Sequence, residues 1–156
     1  MSEISKNMKA FLDTISHSEG TDRYPNKGYN TIVGGSQFKS YADHPRKLIK
    51  LNPTLSSTAA GRYQLLSKYY DAYRRQLGLL DFSPDSQDKI AIQQIKERKA
   101  IQDIENGDFQ TAIGKCCNIW ASFPDPKTGK SRYGQHTVPM KTLLAFYKQC
   151  GGECNG

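Results

Sequence analysis

Ser16-His17-Ser18-Glu19-Gly20-Thr21-Asp22 closes a helical pattern on a glutamate followed at once by a glycine. Upstream, Ile4, Met8, Phe11, Leu12 and Ile15 recur at the i, i+4, i+7, i+8, i+11 spacing of an amphipathic helix laid against a core. Glu19 is the next step of that stripe, so a carboxyl group takes a place expected for an apolar side chain. Gly20 suits the left-handed residue that ends a helix. Glu19 then belongs to the last turn, where burial and the negative end of the helix dipole both disfavour its charged form. A glutamic acid held so stays protonated toward neutral pH and can donate a proton. A partly exposed helix-end glutamate with a structural role alone fits the same pattern.

The chain has 156 residues, the length of one domain with its own core, and a net charge of +7. Such a charge points to an anionic partner: nucleic acid, an acidic membrane surface or an acidic polysaccharide. The basic residues are spread from Arg23 to Arg132 without a basic arm, which favours a broadly positive globule over a nucleic-acid tail. Cys116, Cys117, Cys150 and Cys154 lack zinc spacing, and the histidines are far from them in sequence. No metal or cofactor is expected; one of the vicinal pair reads as a core residue and the others as ordinary thiols of a reducing compartment. Met1 to Asn7 has no apolar run, and no stretch approaches 18 apolar residues, so neither a secretion signal nor stable membrane insertion is expected.

Beyond the first helix, Thr31-Ile32-Val33-Gly34-Gly35-Ser36-Gln37-Phe38 reads as a hairpin of a small sheet. Asp43-His44-Pro45 and Asn52-Pro53 then mark a long loop to Ala60, of a length that is more often functional than idle. The spacing predicts a helix over 62–77, with Leu66, Tyr69, Tyr70, Tyr73 and Leu77 inward and Gly78 ending it. Ser83-Pro84-Asp85 starts another. Ile92, Ile95, Ile101 and Ile104 give one interrupted helix or two short ones. Asp108 caps a helix carrying Phe109, Ala112, Ile113, Cys116 and Trp120, stopped by Pro124. A basic, glycine-bearing loop follows over 125–135, then a last helix over 139–149 with Met140, Leu143, Leu144 and Tyr147 inward. The sum is a mainly helical α+β domain with one small β-sheet and loops flanking a substrate cleft.

Ser18-Glu19-Gly20-Thr21-Asp22, Ile32-Val33-Gly34-Gly35, Asp43-His44-Pro45-Arg46-Lys47-Leu48, Ala60-Gly61-Arg62-Tyr63-Gln64-Leu65-Leu66 and Cys116-Cys117-Asn118-Ile119-Trp120-Ala121-Ser122 carry a resemblance. Over about residues 9 to 124 the chain resembles the phage lambda endolysin family of peptidoglycan lytic transglycosylases. The resemblance implies that residues 1–156 form one lysozyme-like catalytic domain. It implies cleavage of the β-1,4 bond between N-acetylmuramic acid and N-acetylglucosamine without water, leaving a 1,6-anhydro sugar. One carboxyl group suffices for that route, and Glu19 falls on the family's catalytic glutamate. Gly61-Arg62-Tyr63-Gln64 resembles a Gly-x-x-Gln element in which the glycine admits the sugar and the amide binds it; this makes Gln64, with Arg62 and Tyr63, a substrate-binding candidate. Tyr133 matches a cleft tyrosine through its Tyr-Gly-Gln setting. The stretches 47–57 and 124–137 would form two lips.

Asn30 departs from the pattern, which holds an aspartate there; an amide can still bind a sugar. The resemblance further implies peptidoglycan glycan strands as substrate and a monomeric enzyme. It would be made in the host cytoplasm and reach the periplasm after a holin permeabilises the membrane. Two readings compete with it. An ordinary lysozyme hydrolase would have to recruit Asp22 or Asp43 as a second carboxylate, and a non-catalytic basic protein would bind wall or nucleic acid. For nucleic acid the chain offers no recognition helix and no aromatic RNA-binding motif. His17, His44 and His136, with Tyr69, Tyr70 and Tyr73, read as packing or surface residues.

Overall fold

The structure, a computed structural model, describes residues 4–130 and 137–155. The chain divides into two compact units, one of Met1–Glu19 with Ile92–Gly156, the other Gly20–Ala91.

In the first unit, α1 (Lys6–Glu19) is the helix anticipated from the apolar stripe, and it packs against α4 (Ile101–Glu105) and α6 (Met140–Gln149). Met8, Phe11, Leu12 and Ile15 are buried, but Ile4 lies before the helix and stays exposed. α5 (Phe109–Cys116) packs on α4 and α6 and buries Phe109, Ala112, Ile113 and Cys116. Phe11 meets the edges of Phe109 and Phe123, with ring centroids 6.1 and 6.0 Å away. Asp108 precedes α5 without a capping side-chain bond, and α5 ends at Cys116 well before Pro124; the chain continues through turns in which Trp120 and Phe123 remain buried. Cys116 and Cys117 are both buried, where only one core cysteine was expected, because the turn after α5 tucks the Cys117 thiol onto the Gly114 carbonyl. His17 stacks on Phe146, 3.9 Å between ring centres, and is a packing residue.

The second unit opens with two short 3-10 turns, Thr21–Arg23 and Pro25–Gly28. Its core gathers Ala60, Leu65, Tyr70, Phe82 and Ile90, with Phe38, Tyr73, Leu77 and Leu79 against it. The sheet differs in place from the sequence expectation. Thr31 to Phe38 makes only isolated bridges, Thr31 to Gln37 and Ile32 to Ala60, while the two-stranded antiparallel sheet lies in the anticipated loop, β1 (Ile49–Asn52) against β2 (Leu55–Ser57). Pro53-Thr54 is the hairpin turn, and the Oδ1 of Asn52 before it accepts from the N–H and the hydroxyl of Thr54. Leu51 and Leu55 on this ribbon, and Leu48 just before it, stay exposed, so no apolar alternation announced it.

α2 (Ser67–Leu77) starts five residues later than read, because Arg62 to Leu65 form a turn that is bridged back to Ala60. Of its tyrosines only Tyr70 is fully buried; Tyr69 is exposed. α3 (Pro84–Glu97) begins in this unit at the anticipated Ser83-Pro84 start and ends in the other. No helix among the described residues is long and apolar enough to cross a membrane.

Candidate functional site

Glu19 is the last residue of α1, and Gly20 follows it in the left-handed conformation (φ 80°), as the sequence pattern anticipated. Burial pushes the Glu19 carboxyl above the usual carboxylate range. Ser122, in the turn that follows α5, opposes that shift: its hydroxyl donates to Glu19 Oε2 in a short hydrogen bond, and its backbone N–H donates as well. The Ser18 hydroxyl donates in turn to Ser122 Oγ at 2.7 Å. The turn is fixed on both sides, by Phe123 N–H on the Trp120 carbonyl (2.9 Å) and by Val138 N–H on the Ser122 carbonyl (3.0 Å). An acid whose burial favours the proton, yet whose anion finds two donors, can release a proton and take one back.

In the second unit the Gly61-Arg62-Tyr63-Gln64 turn has an internal logic of its own. A Cβ at Gly61 would lie 2.5 Å from Gln87 Oε1 and 2.9 Å from the Phe82 ring. Gly61 therefore admits Gln87 and Phe82. Arg62 and Tyr63 are both buried. The Arg62 Nε donates to the Lys27 carbonyl (3.1 Å), its Nη1 to the Tyr63 hydroxyl (3.2 Å), and its guanidinium lies over the rings of Tyr29 and Tyr63. Both tyrosine hydroxyls donate to Asp88 Oδ1, at 2.8 and 2.6 Å. The buried cluster raises the Asp88 pKa, chiefly through lost hydration, and pushes the Tyr29 phenol up to about 12.

Gln64 is half-buried, with φ at +54°, a conformation costly for a side-chain-bearing residue. Its amide nitrogen donates to the Gly61 carbonyl at 2.9 Å. Asn30 lines an open cavity of about 460 Å³ together with Asn26, Gln37, Phe38, Lys39 and Tyr41. Its Nδ2 donates to the Phe38 carbonyl (3.2 Å), which fixes the amide, and its Oδ1 is buried with no hydrogen-bond partner. Such an oxygen awaits a donor.

Asp43 is engaged elsewhere. Arg46 grips it through Nε (2.9 Å) and Nη2 (3.2 Å), holds Asp71 with the same guanidinium (3.1 and 2.6 Å), and keeps both carboxylates below the usual range. His44 is buried, with Nε2 on the Leu65 carbonyl (2.8 Å) and Nδ1 accepting from Arg46 N–H, a core role. Tyr133 lies outside the described residues. Ser122, Asp88 and Tyr29 were not singled out from sequence; Ser122 carries no signal until its turn is seen beside α1.

The endolysin family model matches residues 9–154. The chain belongs to the endolysin family. This endolysin is 54% identical over 156 residues to the endolysin of Escherichia phage lambda, a match spanning 97% of the chain and 96% of the relative. It is 42% identical over 161 residues to the endolysin of Escherichia phage P2, covering 94% of each. Its fold is lysozyme-like: it superimposes with a TM-score of 0.93 on bacteriophage lambda lysozyme complexed with a chitohexasaccharide, at 53% identity over 99% of this chain and 100% of the other. A second structure of lambda lysozyme gives a TM-score of 0.90 at 52% identity, with the same coverage.

Proposed function

We propose that this endolysin is a peptidoglycan lytic transglycosylase in which residues 1–156 act as one catalytic domain and Glu19 serves in turn as acid and base. The observation that carries the reading is the Glu19 carboxyl itself, biased toward its protonated form by burial and served by the Ser122 hydroxyl and N–H once ionised. Glu19 gives its proton to the O4 leaving oxygen as the C1–O4 bond between N-acetylmuramic acid and N-acetylglucosamine breaks. The resulting carboxylate takes the proton of the muramic acid C6 hydroxyl as O6 bonds to C1. The 1,6-anhydro sugar departs with Glu19 protonated again, and no water enters the step.

Two features weigh for this route over hydrolysis, which needs a second carboxylate to activate water or attack the sugar and of the two candidates for that part is left with Asp22. Asp43 is committed to Arg46, and Asn30 offers an amide where the family pattern holds an acid. Gln64 and Asn30 are assigned to the glycan, Gln64 because its amide sits on a costly left-handed backbone and Asn30 because its Oδ1 is an unused buried acceptor. Arg62 and Tyr63, in the same turn as Gln64, are buried and spend their polar groups on the Lys27 carbonyl, on each other and on Asp88. The chitohexasaccharide bound to the solved lambda lysozyme supports a glycan ligand. We assign the released enzyme to the periplasm as a monomer, reaching the wall after a holin permeabilises the membrane.

Mass spectrometry of sugars released from purified peptidoglycan tests the reaction. Fragments one water lighter than hydrolysis products, without reducing ends, are expected, and Glu19→Gln should lower their yield by about 10²–10⁴-fold. Full-weight reducing fragments would replace the transglycosylase with a hydrolase, and a fully active Glu19→Gln would remove Glu19 from the mechanism.

A further inference from the structure

Three hydroxyl and carboxyl groups stand in line at the end of α1. Ser18 Oγ donates to Ser122 Oγ (2.7 Å), and Ser122 Oγ donates to Glu19 Oε2. A serine hydroxyl has one proton to give, and its direction is set by what its oxygen accepts. A Ser122 oxygen already receiving the Ser18 proton points its own proton at the carboxyl. We infer that Ser122, oriented by Ser18, is a positioning residue that makes Oε2 the permanent acceptor of Glu19 and leaves Oε1 to carry the proton exchanged with the sugar.

The inference rests on Glu19 being the acid of the proposed reaction and adds two residues to it. With Oε2 occupied, the carboxyl cannot rotate to offer either oxygen at random, so one lone-pair direction serves both the donation to O4 and the later uptake from O6. The same contact moderates the acid. Burial alone would make the carboxylate costly to form, and the Ser122 hydroxyl and N–H return part of the lost hydration.

Other charges do not take this part. On α1, Asp13 pairs with Lys9 at 3.5 Å and His17 lies against Phe146. On the segment bearing Ser122 the nearest acid in sequence is Asp125, and α6 presents Lys141 and Lys148 to solvent. Among the described residues, burial and Ser122 are what act on Glu19.

The test compares Ser122→Ala, Ser122→Thr and Ser18→Ala with the parent in two readouts: the pH dependence of glycan cleavage, and the titration of the Glu19 carboxyl followed by carbon NMR, which needs no turnover. Ser122→Ala should move the Glu19 titration and the alkaline limb of the rate profile upward by about one pH unit and lower turnover at the optimum about 10-fold. Ser18→Ala should do the same more weakly, about 3-fold in turnover, and Ser122→Thr, which keeps the hydroxyl, should stay near the parent in both. An unmoved titration with turnover within two-fold in Ser122→Ala overturns the inference. Should that variant not fold, a Ser18→Ala titration that coincides with the parent's overturns it equally. A Glu19→Gln enzyme that still cleaves would instead sink the catalytic reading, and the NMR titration would still decide whether Ser122 governs the Glu19 proton.

Discussion

A carboxyl group kept out of water costs the fold stability at the pH where it must ionise. The Glu19 pKa is raised in the folded chain, so the folded state holds its proton over a range in which the unfolded state has released it. The unfolded state then binds fewer protons, and stability falls as pH rises from the ordinary carboxylate pKa to the raised one, by about 1.4 kcal/mol per unit of separation. Glu19→Gln removes that loss. Urea unfolding should show the variant more stable than the parent at pH 7 and equal to it near pH 4; a gain of the same size at both would mean that ionisation is not its source. Gln64 presents the backbone version of the same tension. Gln64→Gly and Gln64→Ala both delete the amide and should raise KM about 10-fold, the value of roughly one hydrogen bond. The glycine variant should be the more stable of the two by about 1 kcal/mol, because only alanine keeps the left-handed penalty. Equal melting temperatures would remove backbone strain from the account of this residue.

At the scale of elements, the first two turns of α3 stitch the second unit. Gln87 Nε2 donates to the carbonyls of Tyr29 and Phe82, both at 2.9 Å, and its Oε1 accepts the Arg62 N–H at 2.9 Å. The next residue, Asp88, collects the hydroxyls of Tyr29 and Tyr63. The segment of 3-10 turns and the turn preceding α2 are thus both tied to α3 through side chains, which accept or donate where short turns and an isolated bridge leave backbone polar groups over. Asp88→Ala removes the acceptor of the half-buried Tyr29 and the buried Tyr63 hydroxyls and leaves the Arg62 charge without its nearby anion. It should cost about 2–4 kcal/mol, read as a fall in the urea midpoint. A loss below about 0.5 kcal/mol, the scale of an ordinary surface substitution, would contradict the network's structural role.

Across the whole molecule the charge of +7 sets how the enzyme meets its polyanionic substrate. Wall lysis should fall several-fold as salt is raised from about 0.05 to 0.5 M, because screening shortens the reach of surface charge to a few ångströms. Cleavage of a short neutral glycan fragment should hardly change over the same range. A matching decline for both would move the salt effect from encounter to the chemistry.

The sequence by itself determined whatever is local and periodic. The stripe from Met8 to Ile15 with Glu19 at its end and Gly20 beyond it, the Ser83-Pro84 start of α3, the break before Ile101 and the last helix all follow from helical spacing and the backbone demands of glycine and proline. Those local rules put a carboxyl group at the end of α1. Where pattern was weak, tertiary structure decided. The β1–β2 ribbon has one solvated side after another and no alternation to betray it, while the β-branched run at Thr31 to Val33 is held only by isolated bridges. Arg62 and Tyr63 read as substrate-binding candidates in a polar motif, yet both are buried, Tyr63 donating to the Asp88 carboxylate 25 positions on and Arg62 to the Lys27 carbonyl and the Tyr63 hydroxyl. Ser122 is an ordinary serine in the sequence. It becomes the partner of Glu19 because Phe11, Phe123 and Trp120 pack its turn against α1, a contact spanning 103 residues that no local preference encodes.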